Sequence, residues 1–128
     1  MRKILLLLLV LAACSGPAIK DLEPAQVNEL LAQKEELGLF VLNVHTPYEG
    51  KLEKTDMIIE EWQNISAHAG HLPADKNTPI LTYCRSGRMS TSAVQQLQEL
   101  GYTNLYHAKG GMIAYSDAGF EVIDKSWN

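Results

Sequence analysis

Short apolar runs rich in β-branched and aromatic residues alternate with segments of helical spacing along this chain, and no other feature limits its fold as tightly. Leu39-Phe40-Val41-Leu42-Asn43-Val44, bounded by Gly38 and Pro47, reads as a buried strand. Thr78-Pro79-Ile80-Leu81-Thr82-Tyr83 is the clearest strand and runs directly into Cys84. Met57-Ile58-Ile59 and Asn104 to His107 supply two shorter ones, and residues 45–56 read as an irregular loop. Leu22-Glu23-Pro24 opens a helix, with Pro24 where a missing N–H costs nothing; Val27, Leu30, Leu31 and Leu37 follow at helical spacing and Gly38 closes it. Ser90 to Leu100 carries Ala93, Val94, Leu97 and Leu100 on one face and stops at Gly101. Asn64 to His71 is a weaker helical segment ended by Pro73, and Met112 to Ala118 follows the Gly110-Gly111 turn. The alternation predicts one α/β domain with a mainly parallel sheet and helices on both faces. Sites in such sheets form beyond the carboxyl ends of strands, which is where Cys84 stands.

The first residues belong to a different pattern. Met1-Arg2-Lys3 is a short basic start, and Ile4 to Leu11 is an unbroken apolar run of 8 residues. A membrane-spanning helix needs roughly 20. Basic start, short apolar run and the small residues Ala12 and Ala13 describe a secretory signal peptide. Leu11-Ala12-Ala13-Cys14 resembles the lipobox of bacterial lipoproteins, which implies lipid on Cys14 as the first mature residue. An ordinary cleaved signal with a chance cysteine is the alternative. The expected organisation is a signal peptide at 1–13, a tether at 14–20, a domain at 21–124 and a tail at 125–128. Several acyl chains would hold such a protein stably at a membrane. Ser15 does not resemble an inner-membrane retention signal, so the periplasmic face of the outer membrane is expected in a host with two membranes.

Charge and cysteine count narrow the function. Loss of residues 1–13 takes Arg2 and Lys3 from the 11 basic residues and leaves nine against 15 acidic ones, a net of −6. An acidic surface repels phosphate backbones, which argues against nucleic-acid partners. With Cys14 alkylated, Cys84 is the one free thiol of the mature chain, so no disulfide can form within a molecule.

Cys84-Arg85-Ser86-Gly87-Arg88-Met89-Ser90 then carries the chemistry. A strand, a cysteine, a tight polar loop with glycine and a helix can turn successive N–H groups inward as an anion nest. The helix adds its positive end, and Arg85 and Arg88, the only arginines of the mature chain, flank the sulfur. These surroundings favour a thiolate nucleophile. Ser90 can cap the helix or donate to a bound anion. The plainer alternative is a buried core cysteine beside a basic turn.

Tyr83 to Ser90 resembles the active-site loop of rhodanese-like sulfurtransferases, and Gly110-Gly111-Met112-Ile113-Ala114-Tyr115 resembles their closing Gly-Gly segment. Leu100-Gly101-Tyr102 with Asn104-Leu105-Tyr106 is similar to the family's helix-to-strand turn, so the resemblance covers about residues 20–120. It implies a single rhodanese-like domain, a small five-stranded mainly parallel sheet with helices on both faces. It further implies that Cys84 accepts sulfur as a persulfide, and that backbone amides of Arg85, Ser86, Gly87, Arg88, Met89 and Ser90 cradle the transferred group. Arg85 and Arg88 would attract an anionic donor of the thiosulfate type, and the sulfur would pass to a thiol or cyanide with ping-pong kinetics. A monomer without cofactor is expected. The chain departs from the family where Asn43 and His45 stand in place of an Asp and an Arg, and residues 46–62 lack the usual Gly-His-Ile-Pro-Gly-Ala segment.

Three rivals carry different expectations. Cysteine-based phosphatases and arsenate reductases resemble this loop but need an arginine six places after the cysteine, where Ser90 stands. A membrane-bound persulfide carrier or rhodanese-like binding module would load one sulfur without turnover. A metal site is poorly served, because His68 and His71 are three apart while His45 and His107 are scattered, all four reading as surface or loop histidines. Trp62 and Trp127 read as packing residues and Glu60-Glu61 as a solvated turn.

Overall fold

The computed structural model describes residues 18–128, so the 1–13 signal reading, Cys14 and most of the 14–20 tether lie outside the described residues. Strand β1 (Ile19–Leu22) opens the fold, followed by α1 (Pro24–Ala32), α2 (Lys34–Leu37), β2 (Phe40–Asn43) and β3 (Met57–Ile58). A 3-10 segment (Ile65–His71) leads to β4 (Ile80–Tyr83), α3 (Arg88–Glu99), β5 (Leu105–Ala108) and α4 (Gly111–Asp117). The five strands form one sheet in the order β1-β5-β4-β2-β3, and every ladder between them is parallel. All carboxyl ends therefore meet at one rim.

Side-chain alternation along the strands builds two cores. Val41, Leu81, Tyr83 and Ala108 face α1 and α4, where Val27, Leu30, Leu31, Met112 and Tyr115 cover them. Leu42, Ile80, Cys84 and Leu105 face α3 and the 3-10 segment, against Ala93, Val94, Leu97, Ile65 and Leu72. Helices thus lie on both faces of the sheet. Leu97 is fully buried, and its truncation to alanine removes on the order of 2–4 kcal/mol by transfer and cavity terms. Trp62 packs on the second core and Trp127 on the first.

Several boundaries differ from the sequence reading. Ile19 and Lys20, read as the end of a linker, and Leu22, read as opening a helix, belong to β1, paired with β5 from Ile19↔Leu105 to Leu22↔Ala108. A four-residue edge strand with half-exposed ends has no apolar run to announce it. Helix α1 starts at Pro24, as the sequence reading has it, after Glu23, whose N–H donates to Gln26 Oε1 at 2.9 Å. The segment expected as one helix breaks at Gln33 (φ −101, ψ 12), because Lys34 turns its ammonium to Leu39 O at 2.8 Å and to Asp56. Asp56 also accepts the Val41 N–H at 2.8 Å, supplying a side-chain partner beside the two-residue β3. Helix α3 begins at Arg88 rather than Ser90, since Gly87 (φ 101) takes the N-cap position. Residues 125–128, read as a tail, run back along the fold: Lys125 reaches Ser116 Oγ at 3.0 Å and Ser126 N–H donates to Glu49 O at 3.3 Å.

Candidate active site

Strand β4 delivers Cys84 to the rim, and the three residues that follow fold the chain back over it. The cysteine is 1% exposed. Its Sγ accepts the Gly87 N–H at 3.0 Å, the Ser90 N–H at 3.4 Å and lies 3.3 Å from the Ser90 hydroxyl. Three donors converging on one sulfur suit an atom that carries negative charge.

The loop holds this shape because the start of α4 is bolted to it. Met112 N–H donates to Cys84 O and Ile113 N–H to Arg85 O, both at 3.0 Å. These bonds point the loop's carbonyls outward and leave its N–H groups for the sulfur. Gly111, at φ 65, is required at the junction: a Cβ there would stand 2.3 Å from Arg85 O and 2.7 Å from Cys84 O. Gly87 is required at the other side, where a Cβ would meet Lys109 O at 2.1 Å.

Of the six residues expected to cradle a transferred group, Gly87 and Ser90 direct amides at the sulfur. The Arg88 N–H turns to Ser86 Oγ at 3.4 Å, and Met89 packs against the second core. Ser90 lies inside the first turn of α3 and does not cap it; its hydroxyl is spent on the site. The two arginines part company. Arg88 is exposed at the loop's rim, whereas Arg85 pairs with Glu49, Nε to Oε1 at 3.4 Å.

Glu49 was not foreseen from sequence, and it links the two departures noted there. Its Oε1 also meets His45 Nε2 at 2.8 Å. The His45 N–H donates to Asn43 Oδ1 at 2.9 Å, while Asn43 Nδ2 donates to Gly50 O at 3.1 Å. The buried amide of Asn43 thus uses both a donor and an acceptor, which a carboxylate could not.

The histidines correct a second expectation. His45 and His107 are buried, at 7% and 4% exposure, and are not surface groups; His68 bonds the exposed Glu61 at 2.8 Å and His71 is exposed. On β5, His107 Nε2 stands 2.7 Å from Ser90 Oγ, and His107 Nδ1 stands 3.0 Å from Asp21 Oδ1 on β1. A continuous line of contacts therefore runs from Cys84 through Ser90 and His107 to Asp21. Neither His107 nor Asp21 stands out in the sequence. The available signal was alternation: His107 shares a strand face with the inward Leu105, one strand away from Cys84. Among the described residues no group of three or more His, Cys, Asp or Glu side chains is arranged to hold a metal.

The family model described as Rhodanese-like domain matches residues 39–118. A sulfurtransferase of Allochromatium vinosum is 25% identical over 108 residues, covering 82% of this chain and 95% of that protein. The tRNA uridine(34) hydroxylase of Wolbachia sp. subsp. Brugia malayi is 25% identical over 100 residues, covering 75% of this chain and 36% of the hydroxylase. The chain thus spans about a third of the hydroxylase's length. Among solved structures, the 30 kDa polysulfide-sulfur transferase homodimer of Wolinella succinogenes aligns with a TM-score of 0.67 at 22% identity, over 84% of this chain and 80% of that one. At that identity the likeness is one of fold.

Proposed function

This chain belongs to the rhodanese-like domain family, and on that premise we propose that it is a sulfurtransferase in which Cys84 carries sulfane sulfur as a persulfide. The observation that carries this reading is the Cys84 sulfur with the Gly87 and Ser90 N–H groups and the Ser90 hydroxyl directed at it. In the loading step the thiolate attacks the outer sulfur of an anionic donor such as thiosulfate. A Cys84 S–S bond forms, the donor's S–S bond breaks, and sulfite leaves with its electron pair. The persulfide then gives its terminal sulfur to a thiolate or cyanide and returns Cys84 as thiolate. No cofactor enters either step. Ser90 stands six places after Cys84, where a cysteine-based phosphatase needs an arginine to grip the phosphoryl group, and this supports sulfur chemistry over phosphatase chemistry.

A specific observation favours a carrier with slow turnover as the second reading. Glu49 takes up Arg85, which leaves the exposed Arg88 as the cation facing an incoming anion, and Cys84 is shut in by its own loop. A donor that is itself a persulfide or polysulfide then competes well with thiosulfate.

The Leu11-Ala12-Ala13-Cys14 sequence supports attachment to a bacterial envelope membrane through lipid on Cys14, with the outer membrane's periplasmic face favoured where two membranes exist. No helix among the described residues is long and apolar enough to cross a membrane.

Intact-mass spectrometry of protein taken from membranes of expressing bacterial cells tests these readings together. Exposure to thiosulfate or polysulfide is expected to add about 32 Da, one sulfur, at Cys84, and Cys84→Ser to abolish the gain. A diacylglyceryl mass is expected on Cys14. Steady-state assay with thiosulfate and cyanide separates enzyme from carrier, the latter loading once and turning over negligibly. Absence of any sulfur gain with every sulfane donor overturns the proposal.

A further inference from the structure

We propose that Asp21, His107 and Ser90 form a proton relay that takes the Cys84 thiol proton into the core and returns it during the sulfur-transfer cycle; this rests on the sulfurtransferase reading above. Ser90 Oγ lies 2.7 Å from His107 Nε2 and 3.3 Å from Cys84 Sγ, yet a hydroxyl has a single proton. Only two arrangements use all the contacts. In the first, His107 is neutral with its proton on Nδ1, donated to Asp21 Oδ1 at 3.0 Å. Ser90 then donates to Nε2, and the Cys84 thiol donates to Ser90 Oγ. In the second, Nε2 is protonated and donates to Ser90 Oγ, whose own proton points at the Cys84 thiolate.

The two arrangements differ by the movement of two protons. The thiol proton passes to Ser90 Oγ while the hydroxyl proton passes to His107 Nε2. One proton leaves sulfur, one arrives at imidazole, serine is unchanged and total charge is conserved. The result is a thiolate and an imidazolium separated by a hydroxyl, with the Asp21 carboxylate behind the imidazolium. Sulfur and imidazole thus exchange one proton through the hydroxyl that lies between them. Ser90 touches the reacting sulfur and is a catalytic residue; His107 and Asp21 act through it and are positioning residues.

The surroundings of His107 are suited to this work. Its side chain is 5% exposed, whereas that of Asp21 is 56% exposed. The charged group facing it from β1 is Asp21, since Lys20 turns to the Tyr106 ring at 4.1 Å. From β4 its register partner is Thr82, and α3 brings the buried Ser90 to its ring, neither of them an ionisable group; the Cys84 sulfur lies beyond the Ser90 hydroxyl. Arg88 stays exposed at the helix start and Arg85 is held by Glu49. Asp21 is solvated, so its charge is screened and its share of the effect is the smaller.

The test is the pH profile of Cys84 alkylation by iodoacetamide, read beside the NMR titration of the His107 ring, in wild type and in Asp21→Asn, His107→Gln and Ser90→Ala variants. His107→Gln is expected to slow alkylation near pH 7 by about fivefold or more and to leave a single thiol step. Asp21→Asn keeps an acceptor but loses the charge, and is expected to act in the same direction by about twofold. The double variant Ser90→Ala with His107→Gln is expected to be no slower than Ser90→Ala alone. In wild type the His107 titration is expected to move when Cys84 is alkylated. Wild-type profiles superimposing on those of both His107→Gln and Asp21→Asn would overturn the relay; should His107→Gln fail to fold, the exposed Asp21→Asn substitution decides alone. Sulfur loading by mass, run on the same samples, distinguishes failure of the relay from failure of the sulfurtransferase reading.

Discussion

Glu49 stands between two groups that would otherwise face the sulfur loop uncompensated. Its carboxylate meets the His45 ring at 2.8 Å and the Arg85 guanidinium at 3.4 Å. A cation already paired with a carboxylate offers little to an arriving anion, because the two fields cancel within a few ångströms. Glu49→Gln is therefore expected to lower KM for thiosulfate by about threefold, with a steeper dependence on ionic strength, while kcat stays nearly constant. Steady-state kinetics at two salt concentrations checks this. An unchanged KM would mean that Arg85 plays no part in donor capture. At the same scale, Asn43 fits its place in a way that an aspartate would not. Its amide satisfies His45 N–H and Gly50 O together, and an aspartate would leave the carbonyl bare inside the fold.

Helix α4 has seven residues, and its first turn serves the sulfur loop as much as the core. Its N–H groups engage the Cys84 and Arg85 carbonyls, so the loop and the Gly110-Gly111 turn are one mechanical unit. Gly111→Ala is expected to cost about 2 kcal/mol or more and to abolish sulfur loading, because φ 65 and contacts of 2.3–2.7 Å force the loop to move. Gly119→Ala is the control: its φ is 97 but nothing lies within 4 Å of the new Cβ. Thermal melting and loading by mass together separate the two variants, and equal loss of loading in both would remove the loop's special status. The elements with long apolar runs or clear periodicity, β2, β4, α1 and α3, were legible in the sequence, as was the cysteine loop, since its chemistry is written in seven consecutive residues. Asp21, His107 and Glu49 were not. They meet the loop through sheet register and a long excursion of the chain, and spacing along a sequence carries no record of which strand lies beside which. Strand β1 escaped for a related reason: it is a strand by virtue of β5 and has little propensity of its own.

Across the whole molecule, Tyr83 ties the irregular 45–56 loop to the sheet. Its fully buried hydroxyl accepts the Leu52 N–H at 2.9 Å and shares a hydrogen bond with Thr55 Oγ1 at 2.7 Å. Burial pushes this hydroxyl from 10.0 up to about 12, against the lowering by its two hydrogen bonds. A phenol whose ionisation is raised by folding contributes stability that is intact below the unfolded value and is lost as pH climbs through the folded one. Stability is thus expected to fall by on the order of 2–3 kcal/mol between about pH 10 and 12, and Tyr83→Phe to flatten that decline while costing about 1–2 kcal/mol at neutral pH. Urea unfolding across that range tests it, and a decline that persists unchanged in Tyr83→Phe assigns the alkaline loss elsewhere. One feature of the sheet reaches beyond stability. Strand β1 has a neighbour on one side only, β5, and it carries Asp21. Outer strands peel before inner ones. A steady pull on the leading end of the polypeptide would unzip β1 first and draw the carboxylate away from His107 before anything else gave way. Fraying of that outer strand would thus be felt at a buried sulfur atom, through the line of hydrogen bonds that begins at Asp21.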